Sequence, residues 1–223
     1  MAGEPGRRDG LLVDFGGVLT TSVFASFAAF CRAEGLDAGA LRDAFRADPR
    51  ARRLLEDLET GRLDPAAFSA ALGERLGLAD ATDLPRRLFA ELRPDPAMIA
   101  AVRRVRAAGV RTGLVSNSWG DATAYDVLPD GLFDATVISS EVGLRKPDPA
   151  IYALGAQRIG VPPERCVFVD DLGGNLKPAA ALGMATVRHV RADETIAALE
   201  ALLGPAVRSS AAAPPSGSAR GGS

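Results

Sequence analysis

Short apolar runs recur along the chain at residues 10–15, 111–116, 135–139, 166–170 and 185–190, and segments of helical periodicity separate several of them. No other feature narrows the fold as much. Buried runs of this length, alternating with helices, predict parallel strands covered on both faces and hence an α/β architecture. The helix starts are marked too. Asp64-Pro65, Asp95-Pro96 and Asp148-Pro149 each set a capping carboxylate before a proline at the first helical position. Gly109 and Gly183 stand where helices give way to strands. Met98, Ile99, Val102 and Val105 repeat at helical spacing and are expected to face the sheet.

Residues 22–92 break the alternation with helical patterns alone: Phe24, Phe27 and Phe30, then Leu54, Leu55 and Leu58, then Phe68, Leu72 and Leu76. A helical block inserted after the first strand predicts a cap over the C-terminal edge of the sheet, where open α/β folds bind ligands. The expected organisation is a core from 9–21 and 93–205, a cap from 22–92, and a disordered tail at 206–223, which is small, polar and rich in Pro and Gly.

A net charge of −2, from 26 basic and 28 acidic residues, gives no electrostatic reason to expect nucleic acid or an anionic membrane as partner. No run is long enough to span a bilayer. Two cysteines, Cys31 and Cys166, make no disulfide framework, and the opening "MAGEPGRRDG" has no apolar signal region, so a cytoplasmic location is expected. The single histidine, His189, excludes a multi-histidine metal site and is expected to be partly exposed at a strand end. Trp119 is expected to pack as a loop aromatic.

The strand ends carry the chemistry. Asp14 ends "LLVDF", Ser116 and Asn117 end "TGLVSNS", Lys146 lies in "GLRKPDP", and Asp170 and Asp171, with Asn175 behind them, lie in "CVFVDDLGGN". In a parallel sheet the strand C-termini share one edge, so these groups are expected to converge. Three carboxylates together would take up protons unless compensated. A hard divalent cation such as Mg²⁺ compensates them, with Lys146 adding positive charge. The small donors at Ser116 and Asn117 suit the oxygens of an anion. Together these groups describe a phosphate site, with Asp14 as a carboxylate nucleophile that forms an acyl phosphate. Gly16 and Gly17 let the chain turn after Asp14, with a backbone carbonyl free to face the metal.

"DFGGVL", "SNS", "RKPDP" and "VDDLGGN", in this order, resemble the four motifs of the haloacid dehalogenase-like (HAD) hydrolase superfamily, and the helical block resembles its cap. "SNSWG", "EVGLRKPDPAIY" and "VFVDDLGGNLKPAAALGM" are similar to the phosphatase domain of soluble epoxide hydrolase and its bacterial relatives. The resemblance implies a Rossmann-like core. It implies that Asp14 is nucleophile and magnesium ligand, that the Gly16 carbonyl and Asp171 bind the metal, and that Ser116 and Asn117 hold the phosphoryl group. It further implies that Lys146 is a catalytic and substrate-binding residue that balances charge, that Asp170 acts on the metal through water, and that Asn175 orients its neighbours.

One position departs from the pattern. Gly16 stands where such phosphatases carry the aspartate that protonates the leaving alcohol, a group whose loss typically costs about 10²–10⁴-fold in rate. The expected function is a Mg²⁺-dependent phosphatase of a small phosphorylated molecule. The alternatives are a 2-haloacid dehalogenase-type hydrolase, or a phospho-ligand-binding member of low activity. Lipid phosphates, sugar phosphates and nucleotides all satisfy this pattern, as does any oligomeric state.

Overall fold

A computed structural model describes residues 8–204; the expected tail at 206–223 lies outside them. The strands are β1 (Gly10–Val13), β2 (Arg111–Ser116), β3 (Ala135–Ile138), β4 (Cys166–Asp170) and β5 (Ala185–Arg188). They form one parallel sheet in the order β3-β2-β1-β4-β5. β1 ends before Asp14, because Asp14 Oδ1 accepts a 2.7 Å hydrogen bond from the Phe15 N–H and begins a turn.

Between β1 and β2 come α1 (Val23–Ala33), α2 (Ala40–Ala47), α3 (Pro49–Glu59), α4 (Pro65–Leu76), α5 (Leu84–Leu88) and α6 (Pro96–Ala107). After β3 come α7 (Ser139–Val142) and α8 (Pro149–Ile159); α9 (Gly173–Ala181) follows β4 and α10 (Ala192–Leu203) follows β5. The Asp-Pro starts behave as expected: Asp64 and Asp95 each cap a helix by accepting from the backbone N–H groups two and three residues on, and Asp148 by accepting from the Ala150 N–H. Asp48-Pro49 starts α3 in the same way.

Alternate strand residues serve opposite faces of the sheet. Leu11, Val13, Val167 and Val169 pack with Met98, Val102 and Val105 of α6 and Leu199 of α10. Leu12, Phe168 and Val115 pack with Ile151, Tyr152 and Ile159 of α8 and Ala179 of α9. Each buried Val, Leu, Ile, Met or Phe among these contributes about 1.5–3 kcal/mol, which makes a strand buried on both faces a rigid mount for whatever follows its last residue.

Helices α1–α5 have a third core of their own, with Phe27, Phe30, Cys31, Leu41, Leu58, Phe68, Leu72, Leu84 and Leu88. No strand lies between Ser22 and Leu92. The two connections to this helical block run side by side. Thr20 pairs with Pro94 as an antiparallel bridge, Thr21 N–H donates to Arg93 O at 2.8 Å, and Asp95 N–H donates to Leu19 O at 2.8 Å.

His189 is not partly exposed as its strand-end position suggests. It is buried, its Nδ1 shares a 2.9 Å hydrogen bond with Thr195 Oγ1, and its backbone N–H donates to Asp170 O. Burial holds its pKa below the usual histidine value. Both cysteines are buried and free. Among the described residues, no helix is long and apolar enough to cross a membrane.

Candidate active site

Asp14 leaves β1 and Asp170 ends β4, the strand beside it, while the chain steps outward from β1 through β2 to β3 in the opposite direction. This is the switch point of the sheet, where a crevice opens at the strand C-termini. Lys146 reaches it from the loop after α7. Its ammonium is buried and lies 2.6 Å from Asp14 Oδ1 and 2.7 Å from Asp170 Oδ2.

Asp170 is fully enclosed and saturated. Besides Lys146, it accepts from the Leu172 N–H at 2.8 Å and from Asn175 Nδ2 at 3.0 Å to each oxygen. Asp171 turns instead toward Gly17. Gly17 has φ of 75°, and a Cβ there would sit 2.6 Å from Asp171 Oδ2. Only glycine satisfies both the turn and this approach.

Asp14, Asp170 and Asp171 each offer an oxygen within 4.8 Å of the others. One ammonium against three carboxylates leaves the cluster with net negative charge. Burial pushes Asp14 up to about 7; Lys146 opposes the shift and Asp170 adds to it. Burial, then Asp170, pushes Asp171 up to about 6. Burial alone would lower the Lys146 pKa, but Asp14 and Asp170 outweigh it and raise it, so the lysine stays charged. The site thus holds carboxylates at the edge of protonation, all with hard oxygen donors. That donor set fits a divalent cation such as Mg²⁺, which would be held by Asp14 and Asp171 while the Asp170 oxygens are already engaged.

Ser116 sits at the tip of β2, where its Oγ accepts a 3.0 Å hydrogen bond from the Tyr125 hydroxyl. Tyr125 packs on Phe15, and burial pushes its pKa up to about 12, so it remains a donor. The Asn117 side chain is bound on both sides. Its Oδ1 accepts from the Lys146 N–H at 2.8 Å, and its Nδ2 donates to Lys146 O at 3.1 Å and to Glu59 Oε2 at 3.3 Å. The amide therefore clamps the Lys146 backbone.

Glu59, the last residue of α3, joins the helical block to this loop. Its carboxylate is buried and pairs with Arg145, next to Lys146. Its carbonyl accepts from Ser139 Oγ, which in turn accepts from the Ser118 N–H at 2.8 Å.

Above the carboxylates lies a cavity of about 340 Å³. Its base is Asp14, Gly16, Ser116, Lys146 and Asp171; its upper wall is Phe24, Phe27, Phe45, Leu55, Phe89 and Trp119. Trp119 packs on Phe27, Phe45, Phe68 and Phe89 with ring centroids 5.1–6.2 Å apart. It is both a packed loop aromatic, as expected, and a cavity wall.

The family model for haloacid dehalogenase-like hydrolases matches residues 9–183. The chain belongs to this family.

The HAD hydrolase described here is 40% identical over 111 residues to acyl-CoA dehydrogenase family member 10 of Mus musculus, 49% of this chain and 10% of that protein. It is 33% identical over 127 residues to bifunctional epoxide hydrolase 2 of Sus scrofa, 53% of this chain and 22% of that one. It is 36% identical over 104 residues to the glyceraldehyde 3-phosphate phosphatase of Methanopyrus kandleri, 45% of each chain. The chain thus spans less than half the length of these relatives. Among solved structures, a HAD-like hydrolase from Porphyromonas gingivalis superposes with a TM-score of 0.70 at 24% identity, over 89% of this chain and 98% of that one. A HAD family enzyme from Bacteroides thetaiotaomicron, solved with magnesium and inorganic phosphate, superposes with a TM-score of 0.61 at 20% identity, over 82% and 94%.

Asp14, Gly16, Ser116, Asn117, Lys146, Asp171 and Asn175, all singled out in the sequence, line this HAD hydrolase's cavity, with Asp170 just beneath. Glu59, Ser139, Tyr125 and Arg145 were not singled out. Glu59 reads as a solvated helix end in "LLEDLETG", and only its neighbours in space show that it is buried. Arg145 had one signal, its place beside Lys146. Arg46, Arg50 and Arg52 of the helical block are exposed; Arg42 is the arginine of that block that lines the cavity.

Proposed function

We propose that this hydrolase is a Mg²⁺-dependent phosphatase of a small phosphorylated molecule, with helices α1–α5 acting as its cap. The observation that carries the reading is the carboxylate pair at the end of β4, Asp170 locked to Lys146 and Asn175 and Asp171 facing the loop after Asp14. A 2-haloacid brings its own carboxylate, which such a cluster would repel. A phosphate ester bound with a divalent cation finds its charge matched. Relatives of the chain include both a phosphatase and a 2-haloacid dehalogenase, so the reading rests on the carboxylate pair.

In this reading Asp14 Oδ2 attacks phosphorus and the P–O bond to the leaving group breaks, its electron pair going to the leaving oxygen. Water then attacks the aspartyl phosphate, releasing inorganic phosphate and restoring Asp14. Asp14, Asp171 and the Gly16 carbonyl hold Mg²⁺, which supplies charge neutralisation at the phosphoryl oxygens. Lys146 holds Asp14 ionised and aimed, and meets the phosphoryl charge. Ser116, its hydroxyl oriented by Tyr125, donates to a phosphoryl oxygen. Asn117 contributes by fixing Lys146, and Asn175 by fixing Asp170.

The test is hydrolysis of p-nitrophenyl phosphate with and without Mg²⁺. Turnover requires the metal and falls about 10⁴-fold or more in Asp14→Asn. That variant melts no lower than the parent, because burial disfavours the Asp14 charge. Turnover of 2-chloropropionate without metal would instead establish the dehalogenase.

A further inference from the structure

The part of the site that receives the leaving group is unlike the part that receives phosphate. A Cβ on Gly16 would lie 2.7 Å from Val23 Cγ2, so the first residue of α1 fills the space into which an acid at position 16 would grow. The polar groups around the upper cavity are committed elsewhere. Glu59 pairs with Arg145, Asn117 clamps Lys146, the Tyr125 hydroxyl donates to Ser116, and Arg42 pairs with Asp43 on the surface. The remaining wall is apolar, with the rings of Phe24, Phe27, Phe45, Phe89 and Trp119 set among aliphatic side chains such as Leu55 and Leu92.

Two consequences follow for a substrate. A sugar or polyol would bury several hydroxyls against a wall whose rings offer a single donor, the Trp119 indole N–H, and binding sites reject such unpaired groups strongly. And the leaving oxygen departs with no acid at position 16 to protonate it, while the Glu59 carboxylate is held by Arg145 and Asn117, so that oxygen must be stable as an anion. A phenol ionises near pH 10, as tyrosine does; an alkyl alcohol does not ionise in this range at all. A planar ring also suits a wall of tilted and edge-on aromatics, and a cavity of about 340 Å³ admits one or two rings with a phosphate.

We propose that the substrate class is aryl phosphates: the phenol oxygen leaves phosphorus as a phenoxide, its electron pair intact, and takes its proton from solvent, while Asp14 takes the phosphoryl group. The proposal rests on the phosphatase reading above and narrows it.

The experiment measures kcat/KM, with Mg²⁺, for a series of substituted phenyl phosphates and for n-hexyl phosphate. kcat/KM stops at loss of the phenol, so it reports the step in question. Phenyl phosphate should exceed hexyl phosphate by about 10²-fold or more, the span a missing general acid typically leaves, and rates should rise steeply as the phenol becomes more acidic. Gly16→Asp combined with Val23→Ala should narrow the gap. Phe24→Ala, at the exposed rim, should lower the ratio of phenyl phosphate to acetyl phosphate turnover. Trp119 is the chain's single tryptophan, so its fluorescence reports occupancy without turnover. Phenylphosphonate should quench it saturably and at lower concentration than hexylphosphonate. Hexyl phosphate within tenfold of phenyl phosphate, or a flat dependence on phenol acidity, overturns the aryl assignment and leaves the phosphatase standing. Failure of folded protein to hydrolyse even p-nitrophenyl phosphate with Mg²⁺ overturns both.

Discussion

The two walls of the cavity are built on opposite principles. The lower wall is made of charges whose positions are dictated by one another: Lys146 between Asp14 and Asp170, Asn175 on both oxygens of Asp170. The upper wall is made of rings positioned by a separate hydrophobic core around Phe68, Leu72 and Leu84. The lower wall trades stability for chemistry, since buried carboxylates are costly. The upper wall is ordinary packing, and its rings can be exchanged without touching the charges below.

That contrast can be broken at four points. Lys146→Met should have the largest effect. It leaves Asp14 and Asp170 buried without their cation, costing about 3–5 kcal/mol in metal-free protein, and it lowers turnover about 10²–10³-fold. Denaturant titration with and without Mg²⁺ checks it, because the cation should return part of the loss. Phe68→Ala should cost about 3–5 kcal/mol through the cavity it leaves in the upper core. At a temperature where the variant is folded, its turnover of p-nitrophenyl phosphate should stay within tenfold of the parent. A loss as deep as that of Lys146→Met would mean the two walls are not independent.

Glu59→Gln sits where the walls meet. It removes the charge paired with Arg145 and should cost about 1–3 kcal/mol, with a smaller fall in kcat than Lys146→Met. The smallest effect concerns His189. Burial lowers its pKa, so the unfolded chain binds the proton more readily than the folded one. The His189 contribution to stability is therefore complete above about pH 6.5, the unperturbed histidine value, and declines as pH falls below it, whereas the raised Asp14 and Asp171 act in the opposite sense. His189→Gln should flatten that acid limb in a melting-temperature profile.

The same contrast explains what was legible in the sequence. Asp14, Ser116, Lys146, Asp170 and Asp171 could be read because each interrupts or follows an apolar run, and a parallel sheet brings such ends together whatever surrounds them. Even the inserted helices were visible by their period. Which helical residues would meet the site was not visible, because that depends on how helices pack in space. Glu59 and Arg42 lie in polar stretches that read as solvated faces. His189 misled for a related reason: its partner, Thr195, lies on the opening turn of α10, and nothing in the spacing announces a hydrogen bond between them.

The paired connections at Leu19–Thr21 and Arg93–Asp95 have a consequence of their own. They bring the two ends of a long excursion together before it begins. The sheet therefore registers only a short, stapled gap, and the length of chain looped out beyond it costs little more as it grows. An arrangement of this kind lets the upper wall be rebuilt, shortened or traded for another while Asp14 keeps its aim: chemistry inherited below, selectivity revised above.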